Sequence, residues 1–126
     1  MSTLKIPEGY QRIMPYLILR NAAAFFPFMQ KVFDATEKMK MMRDEETIMH
    51  AELQVGEITI MYAGSTAQYP PYAGGFFIYV ENADDTYEKA LKARAESIEK
   101  PSDKDYGRSG GVKDPCGNTW WITSTK

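Results

Sequence analysis

What this chain has little of narrows its chemistry first. It carries one cysteine, Cys116, and one histidine, His50, in 126 residues. A single cysteine cannot close an intrachain disulfide, which fits a reducing compartment, and we expect a cytoplasmic protein. No apolar stretch approaches the eighteen or so residues that a membrane-spanning helix needs. The opening residues, Met1 to Gly9, lack the apolar centre of a secretory signal. Charge of one sign is also missing: the formal net charge is −2, and the lysines and arginines are scattered. A nucleic-acid surface would cluster them, so no nucleic-acid partner is expected. Lys38, Lys40, Lys89 and Lys92 read as solvated faces.

What is present describes an ordinary folded domain. Apolar residues make up 44% and charged residues 25%, enough for one real core but small for two independent ones. A weak internal repeat divides the chain. Leu19-Arg20-Asn21-Ala22 and Val80-Glu81-Asn82-Ala83 each end a β-rich run and open a helical one, 61 residues apart. Asn21 and Asn82 both suit the N-cap position, where the side chain accepts from a free amide of the first turn. Asp84 and Asp85 favour the positive end of the second helix.

The first half reads as a strand over Met14 to Leu19, a helix over Ala22 to Phe33, and strands over Glu37 to Arg43, Thr47 to Val55 and Ile58 to Ala63. The second reads as a strand over Phe76 to Val80, a helix over Asp84 to Ala95, and strands over Ser97 to Lys100, Gly110 to Lys113 and Thr119 to Thr123. The order β-α-β-β-β appears twice. The reading is one domain, with a first module over 10–63, a linker over 64–74 and a second module over 75–124. Its class is α+β: two βαβββ modules forming a cupped mixed sheet with helices on the outer face. Pro27 falls inside the first helix, where we expect a kink, and Asp34 takes the left-handed position that ends it.

Strand alternation predicts what faces the cup. In Thr47 to Val55, Met49, Ala51, Leu53 and Val55 are apolar and suited to the helices, whereas His50, Glu52 and Gln54 point the other way. The same alternation puts Met14, Tyr16 and Ile18, then Phe77 and Tyr79, then Trp121 and Thr123 on the cup side. The result is an aromatic pocket with one imidazole and one carboxylate, suited to a small organic ligand. The expected ligand-binding residues are His50, Glu52, Tyr16, Tyr79, Arg108 and Trp121, with Arg108 placed in a glycine-rich loop to hold an anionic group. His50 beside Glu52 is the candidate for acid–base catalysis, against the alternative that both serve packing. Cys116, at what reads as an exposed turn, has no histidine nearby to activate it. Met39, Met41 and Met42 suggest an adaptable interface.

The segment Lys113-Asp114-Pro115-Cys116-Gly117-Asn118-Thr119-Trp120-Trp121-Ile122 is a turn with a mechanism. Pro115 presets φ, Gly117 supplies a positive φ, and Asp114 and Asn118 bond back to the backbone. It resembles the closing hairpin of the vicinal oxygen chelate superfamily of glyoxalases, bleomycin-resistance proteins and dioxygenases. The resemblance extends to Pro15-Tyr16-Leu17, Val32-Phe33-Asp34-Ala35, Met49-His50-Ala51-Glu52-Leu53, Gly75-Phe76 and Tyr106-Gly107-Arg108-Ser109-Gly110, and is strongest for the PhnB-like branch. It implies a homodimer in which the partner completes or shields the cup.

In the metal-dependent members, the resemblance implies, four ligands come from the first and last strand of each half. Those positions are Met14, Met61, Gly75 and Trp121 here. None suits a hard or borderline divalent metal, so no metal ligands and no cofactor are expected. Three functions follow. The first is a metal-free protein that binds a small organic molecule. The second is a glyoxalase- or dioxygenase-type enzyme with a non-standard site around His50 and Glu52, where a divalent metal stays open. The third is a structural dimer module whose cup is filled by its own side chains, Trp121 foremost.

Overall fold

The two halves build the same unit in succession, as seen in a computed structural model that describes residues 3–125. The first module runs β1 (Tyr16–Leu19), α1 (Phe25–Phe33), β2 (Thr36–Met42), β3 (Ile48–Val55) and β4 (Ile58–Gly64). The second runs β5 (Gly75–Tyr79), α2 (Ala83–Lys92), β6 (Glu96–Lys104), β7 (Gly107–Lys113) and β8 (Thr119–Ser124). Each module folds into its own four-stranded mixed sheet, ordered β1-β4-β3-β2 and β5-β8-β7-β6. The first strand pairs in parallel with the last, Tyr16 opposite Met61 and Phe77 opposite Trp121, and the rest are antiparallel. The class is the expected α+β duplication.

Between the sheets lies one core. Leu17, Leu19, Ala51, Leu53, Ile60 and Tyr62 of the first sheet join a single buried cluster with both helices and with Val112, Trp120 and Ile122 of the second. Phe25 of α1 meets the Tyr62 ring edge-on at 5.0 Å, and Phe33 packs on Trp120 at 4.9 Å. α1 therefore touches both sheets, and α2 packs beside it against β6, β7 and β8. Both sheets therefore lay their inner faces on the same helical core. Burial on this scale, at about 25 cal/mol per Å² of apolar surface, is the main term favouring the fold.

Local chemistry explains the departures from the sequence reading. The first helix is not continuous from Ala22: a 3₁₀ turn over Ala22–Ala24 precedes α1. Pro27 then falls in the first turn of α1, where no intrahelical donor is required, so it needs no kink. Asn21 does not cap with its side chain; it sits in the left-handed region at φ 61°, ψ 40°. Asn82 does cap, its side chain accepting from the Asp85 amide at 3.1 Å. Asp34 is left-handed as expected, at φ 57°. β6 and β7 are longer than their apolar content suggests, meeting in a tight turn at Asp105 and Tyr106.

Candidate functional site

The open face of the first sheet is wired by polar side chains. Glu52, at 5% exposure, anchors the network. Its Oε2 pairs with His50 Nε2 at 2.7 Å, and its Oε1 accepts from the Tyr10 hydroxyl at 2.5 Å. On the far side of the imidazole, His50 Nδ1 meets the Tyr16 hydroxyl at 3.1 Å. Burial would push the Glu52 carboxyl up, but the hydrogen bonds from Tyr10 and His50, with the nearby charge of Lys38, outweigh it and hold the carboxyl below its usual range. An ionised carboxylate can only accept, so His50 Nε2 carries the hydrogen; in the neutral ring Nδ1 is then the acceptor for the Tyr16 hydroxyl. The sequence placed Tyr16, His50 and Glu52 on one face, and the fold brings all three into contact.

The chain before β1 lies across this face. Gly9 O accepts from the Thr59 hydroxyl at 2.7 Å and from Lys38 Nζ at 2.8 Å. The Gln11 side chain pairs with both backbone groups of Thr59, at 2.8 and 3.2 Å, as a neighbouring strand would. Lys38 sits 3.7 Å from the centre of the Tyr10 ring, a cation–π contact, so it is a clamp here and not the solvated lysine its sequence context suggested. Tyr10 and Lys38 were missed because no local pattern announces a coil residue that folds back 42 positions to a carboxylate. The Gly9–Gln11 segment lies over the part of this face around Glu52, Thr59 and Lys38.

Met49 also departs from the alternation. Pairing jumps from Met41–His50 to Met42–Ile48, so β3 carries a bulge. A bulge puts two successive residues on one side of the sheet. Ile48 consequently joins the core, and Met49 accompanies His50 toward the open face, where it lines a cavity with Tyr16.

The open face of the second sheet is aromatic. Phe77 and Tyr79 stand 5.3 Å apart, and Phe77 lies 5.9 Å from Tyr106. All three are about half exposed, at 49%, 63% and 54%. Trp121 lies flat over Gly111, where a β-carbon would collide with its ring. Behind them Ser109 and Thr123 share a buried hydroxyl–hydroxyl bond of 2.8 Å. Arg108, expected near the cup mouth, is on the other side of β7. Its guanidinium bonds Asp84 of α2 at 2.6 and 3.1 Å and Asp103 at 3.1 Å. Alternation makes the reason plain: Val112, two pairs along the strand, is in the core.

The six expected ligand-binding residues therefore fall in three places within one chain. Tyr16, His50 and Glu52 share the first open face, Tyr79 and Trp121 the second, and Arg108 is bound to α2. Among the described residues no hydrogen bond or ring contact joins the two open faces.

The closing hairpin has a structural task. Asp114, 4% exposed, accepts through Oδ1 from the amides of Cys116 and Asn118, and through Oδ2 from Asn118 Nδ2 and Trp120 Nε1, all at 2.8 to 3.0 Å. Asn118 Oδ1 in turn accepts from the Gly74 amide at 2.8 Å, tying the turn to the start of β5. Cys116 is buried rather than exposed, and its Sγ donates to the Asn21 carbonyl at 3.3 Å. Burial, helped by the Asp114 charge, pushes the thiol up to about 12, which leaves it protonated and unreactive.

The metal-ligand positions can be judged from their surroundings. Met61 faces Glu52 across β3–β4, Gly75 faces Thr119, and Trp121 presents only an indole. Among the described residues no three His, Cys, Asp or Glu side chains converge. The donor set does not fit the group's usual hard-metal site.

The comparisons with known proteins agree with this architecture. Mb0911c of Mycobacterium bovis is 28% identical over 120 residues, covering 86% of this chain and 79% of its own length. The PhnB protein of Bacillus cereus superposes with a TM-score of 0.76 at 17% identity, covering 91% of this chain and all of that one. TnmS3, an antibiotic-binding protein of Streptomyces sp. CB03234, superposes at 0.69 with 9% identity over the full length of both. The family profile matches residues 11–122, and the chain belongs to the Glyoxalase/Bleomycin resistance protein/Dioxygenase superfamily.

Proposed function

We propose that this protein binds a small organic molecule without metal chemistry, and that it does so as a homodimer whose cups each combine one open face from either subunit. One observation carries the reading. Among the described residues no hydrogen bond or ring contact joins the two open faces within one chain, and both leave large side chains bare: Tyr16 at 41% on the first, Phe77 at 49% and Tyr79 at 63% on the second. Apolar surface of this kind is costly to leave in water and is covered by a partner or a ligand. A second copy supplies the complementary face: the imidazole–carboxylate network of one subunit opposite the aromatic wall of the other. The likeness to TnmS3, an antibiotic-binding protein, is in keeping with a carrier or sequestering role. The residues at the ligand positions favour binding over metal catalysis.

Light scattering on the purified chain tests the assembly, and tryptophan fluorescence, compared with that of a Trp121→Phe variant, tests the cup. Wild type should be dimeric, and Phe77→Asp should yield folded monomers. Aromatic compounds should quench the emission of wild type and lose that effect in the monomeric variant. A monomeric wild type whose emission responds to no member of an aromatic panel would sink the reading.

A second reading follows from the Glu52–His50–Tyr16 chain. A carboxylate that orients an imidazole, which in turn holds a phenol, is an arrangement suited to acid–base chemistry. Turnover of a hemithioacetal substrate by metal-stripped protein, abolished in His50→Ala, would favour the enzyme over the binding protein.

A further inference from the structure

We propose that the cavity between β1, β3 and the segment joining the modules is a binding site for a hydroxyaryl carboxylate, a flat ring system with an anionic group at one end and a hydroxyl at the other. This deepens the binding reading above and rests on it. The cavity measures about 630 Å³. Its walls are Ile18, Met49, Tyr69, Pro70 and Tyr72, aliphatic and aromatic surfaces that suit a planar ring. The wall formed by the joining segment is fixed in place. The Tyr72 amide donates to Ile18 O at 2.9 Å, and its hydroxyl donates to Tyr16 O at 3.1 Å. Pro70 and Pro71 stiffen the approach, so little ordering remains to be done when a ligand arrives.

Beside the Tyr69 and Tyr72 phenols, Arg43 and Tyr16 bring polar groups to the lining, and each is assigned one polar group of the ligand. Among the described residues Arg43 is the only charged one lining the cavity. Among the described residues it makes no ion pair within 4.0 Å. Its neighbour Asp44 is already engaged by the amides of Glu46 and Thr47, at 2.8 and 2.7 Å. Its charge reaches Asp44 only through space, and a guanidinium with no ion pair of its own beside an apolar wall matches a carboxylate in charge and in fork geometry.

Tyr16 reads the other end. Glu52 takes the Nε2 hydrogen of His50, and in the neutral ring Nδ1 takes the Tyr16 hydrogen. With the ring neutral, the Tyr16 oxygen keeps lone pairs and has no hydrogen to give. A ligand hydroxyl, which can donate, satisfies it; an unsubstituted ring leaves it unpaired, and that difference sets specificity. The imidazole and carboxylate thus act as positioning residues, which set the polarity of one phenol while the ring is neutral.

Calorimetric titration with 6-hydroxy-2-naphthoate, 2-naphthoate and 6-hydroxy-2-naphthamide tests the site. Wild type should bind the hydroxynaphthoate tightest. Arg43→Gln should weaken both naphthoates about tenfold and leave the naphthamide unchanged, as expected for a charge-assisted contact. Arg43 is exposed, so this variant should fold, and Arg43→Lys should fall between the two. Tyr16→Phe should erase the preference for the hydroxylated over the unsubstituted naphthoate. Naphthoate binding that is indifferent to Arg43→Gln and Tyr16→Phe would overturn this site and leave the binding reading standing. If none of the three probes, nor a wider aromatic panel, gives heat or a tryptophan response, both fall together.

Discussion

The two open faces arise from the same module and carry opposite chemistry. On the first, Glu52, His50, Tyr16, Tyr10, Lys38 and Thr59 form a connected polar network, and the chain before β1 lies across it. On the second, Phe77, Tyr79, Tyr106 and Trp121 form an aromatic surface, and the hydroxyls of Ser109 and Thr123 satisfy each other beneath it. The difference teaches that duplication fixes the frame and leaves the lining free. Residues facing the helices must be apolar in both copies because they share one core. Those facing outward answer only to what they bind.

The joints between strands show the same divergence. The hairpin between β3 and β4 turns at Gly56 and Glu57, both exposed. Its counterpart between β7 and β8 is buried and organised on Asp114. Asp114→Ala should therefore be the most damaging of the substitutions compared here. It strips four donors of their acceptor in a buried turn, at a cost of about 3 kcal/mol. Glu57→Ala should shift stability by less than about 0.5 kcal/mol. Urea unfolding of both variants checks the contrast; comparable losses would mean that Asp114 is not the hub.

The faces should also respond differently to acid. Glu52 has its carboxyl lowered in the folded state, so its network contributes fully above the ordinary carboxylate value of 4.5 and loses that contribution as pH falls through the folded value. Glu52→Gln should cost about 1–2 kcal/mol at pH 7. The gap between wild type and this variant should narrow as the pH is taken below 4.5. Tyr79→Phe, on the aromatic face, should show no such pH dependence. Denaturant midpoints at pH 7 and pH 3 separate the two, and a gap that widens in acid would reverse the sign assigned to Glu52.

How much of this could be read in the sequence follows from which signals are local. The duplicated strand–helix order was legible because periodicity and turn chemistry act over a few residues. His50, Glu52 and Tyr16 were placed on one face for the same reason, since alternation within a strand is a local rule. Met49 escaped because a bulge shifts parity without any mark in composition. Arg108 escaped because Tyr106-Gly107-Arg108-Ser109-Gly110 reads as loop, whereas pairing with β6 and β8 makes it strand and sends the guanidinium to α2. Tyr10 and Gln11 depend on contacts 42 to 48 residues away, beyond any local rule. That the two sheets share one core with both helices is a tertiary fact that no local pattern announces.

The smallest contrast lies where the sequence repeat is clearest. Asn21 and Asn82 occupy equivalent positions, and the sequence assigns both to helix capping. Only Asn82 caps: its backbone is extended at φ −137°, and its side chain reaches the Asp85 amide. Asn21 is left-handed, its side chain makes no cap bond, and its carbonyl accepts from Ala24 N at 3.0 Å and from Cys116 Sγ. One position therefore uses the asparagine side chain, and the other uses its tolerance of positive φ. Asn82→Ala should destabilise by about 1 kcal/mol, because an orphaned amide is left at the helix start. Asn21→Gly should be neutral or stabilising by a few tenths, roughly, because glycine adopts that backbone without a β-carbon penalty. Paired thermal melts decide the matter. Should Asn21→Gly prove the more harmful, the first asparagine acts through its side chain after all, and the two junctions are the same device.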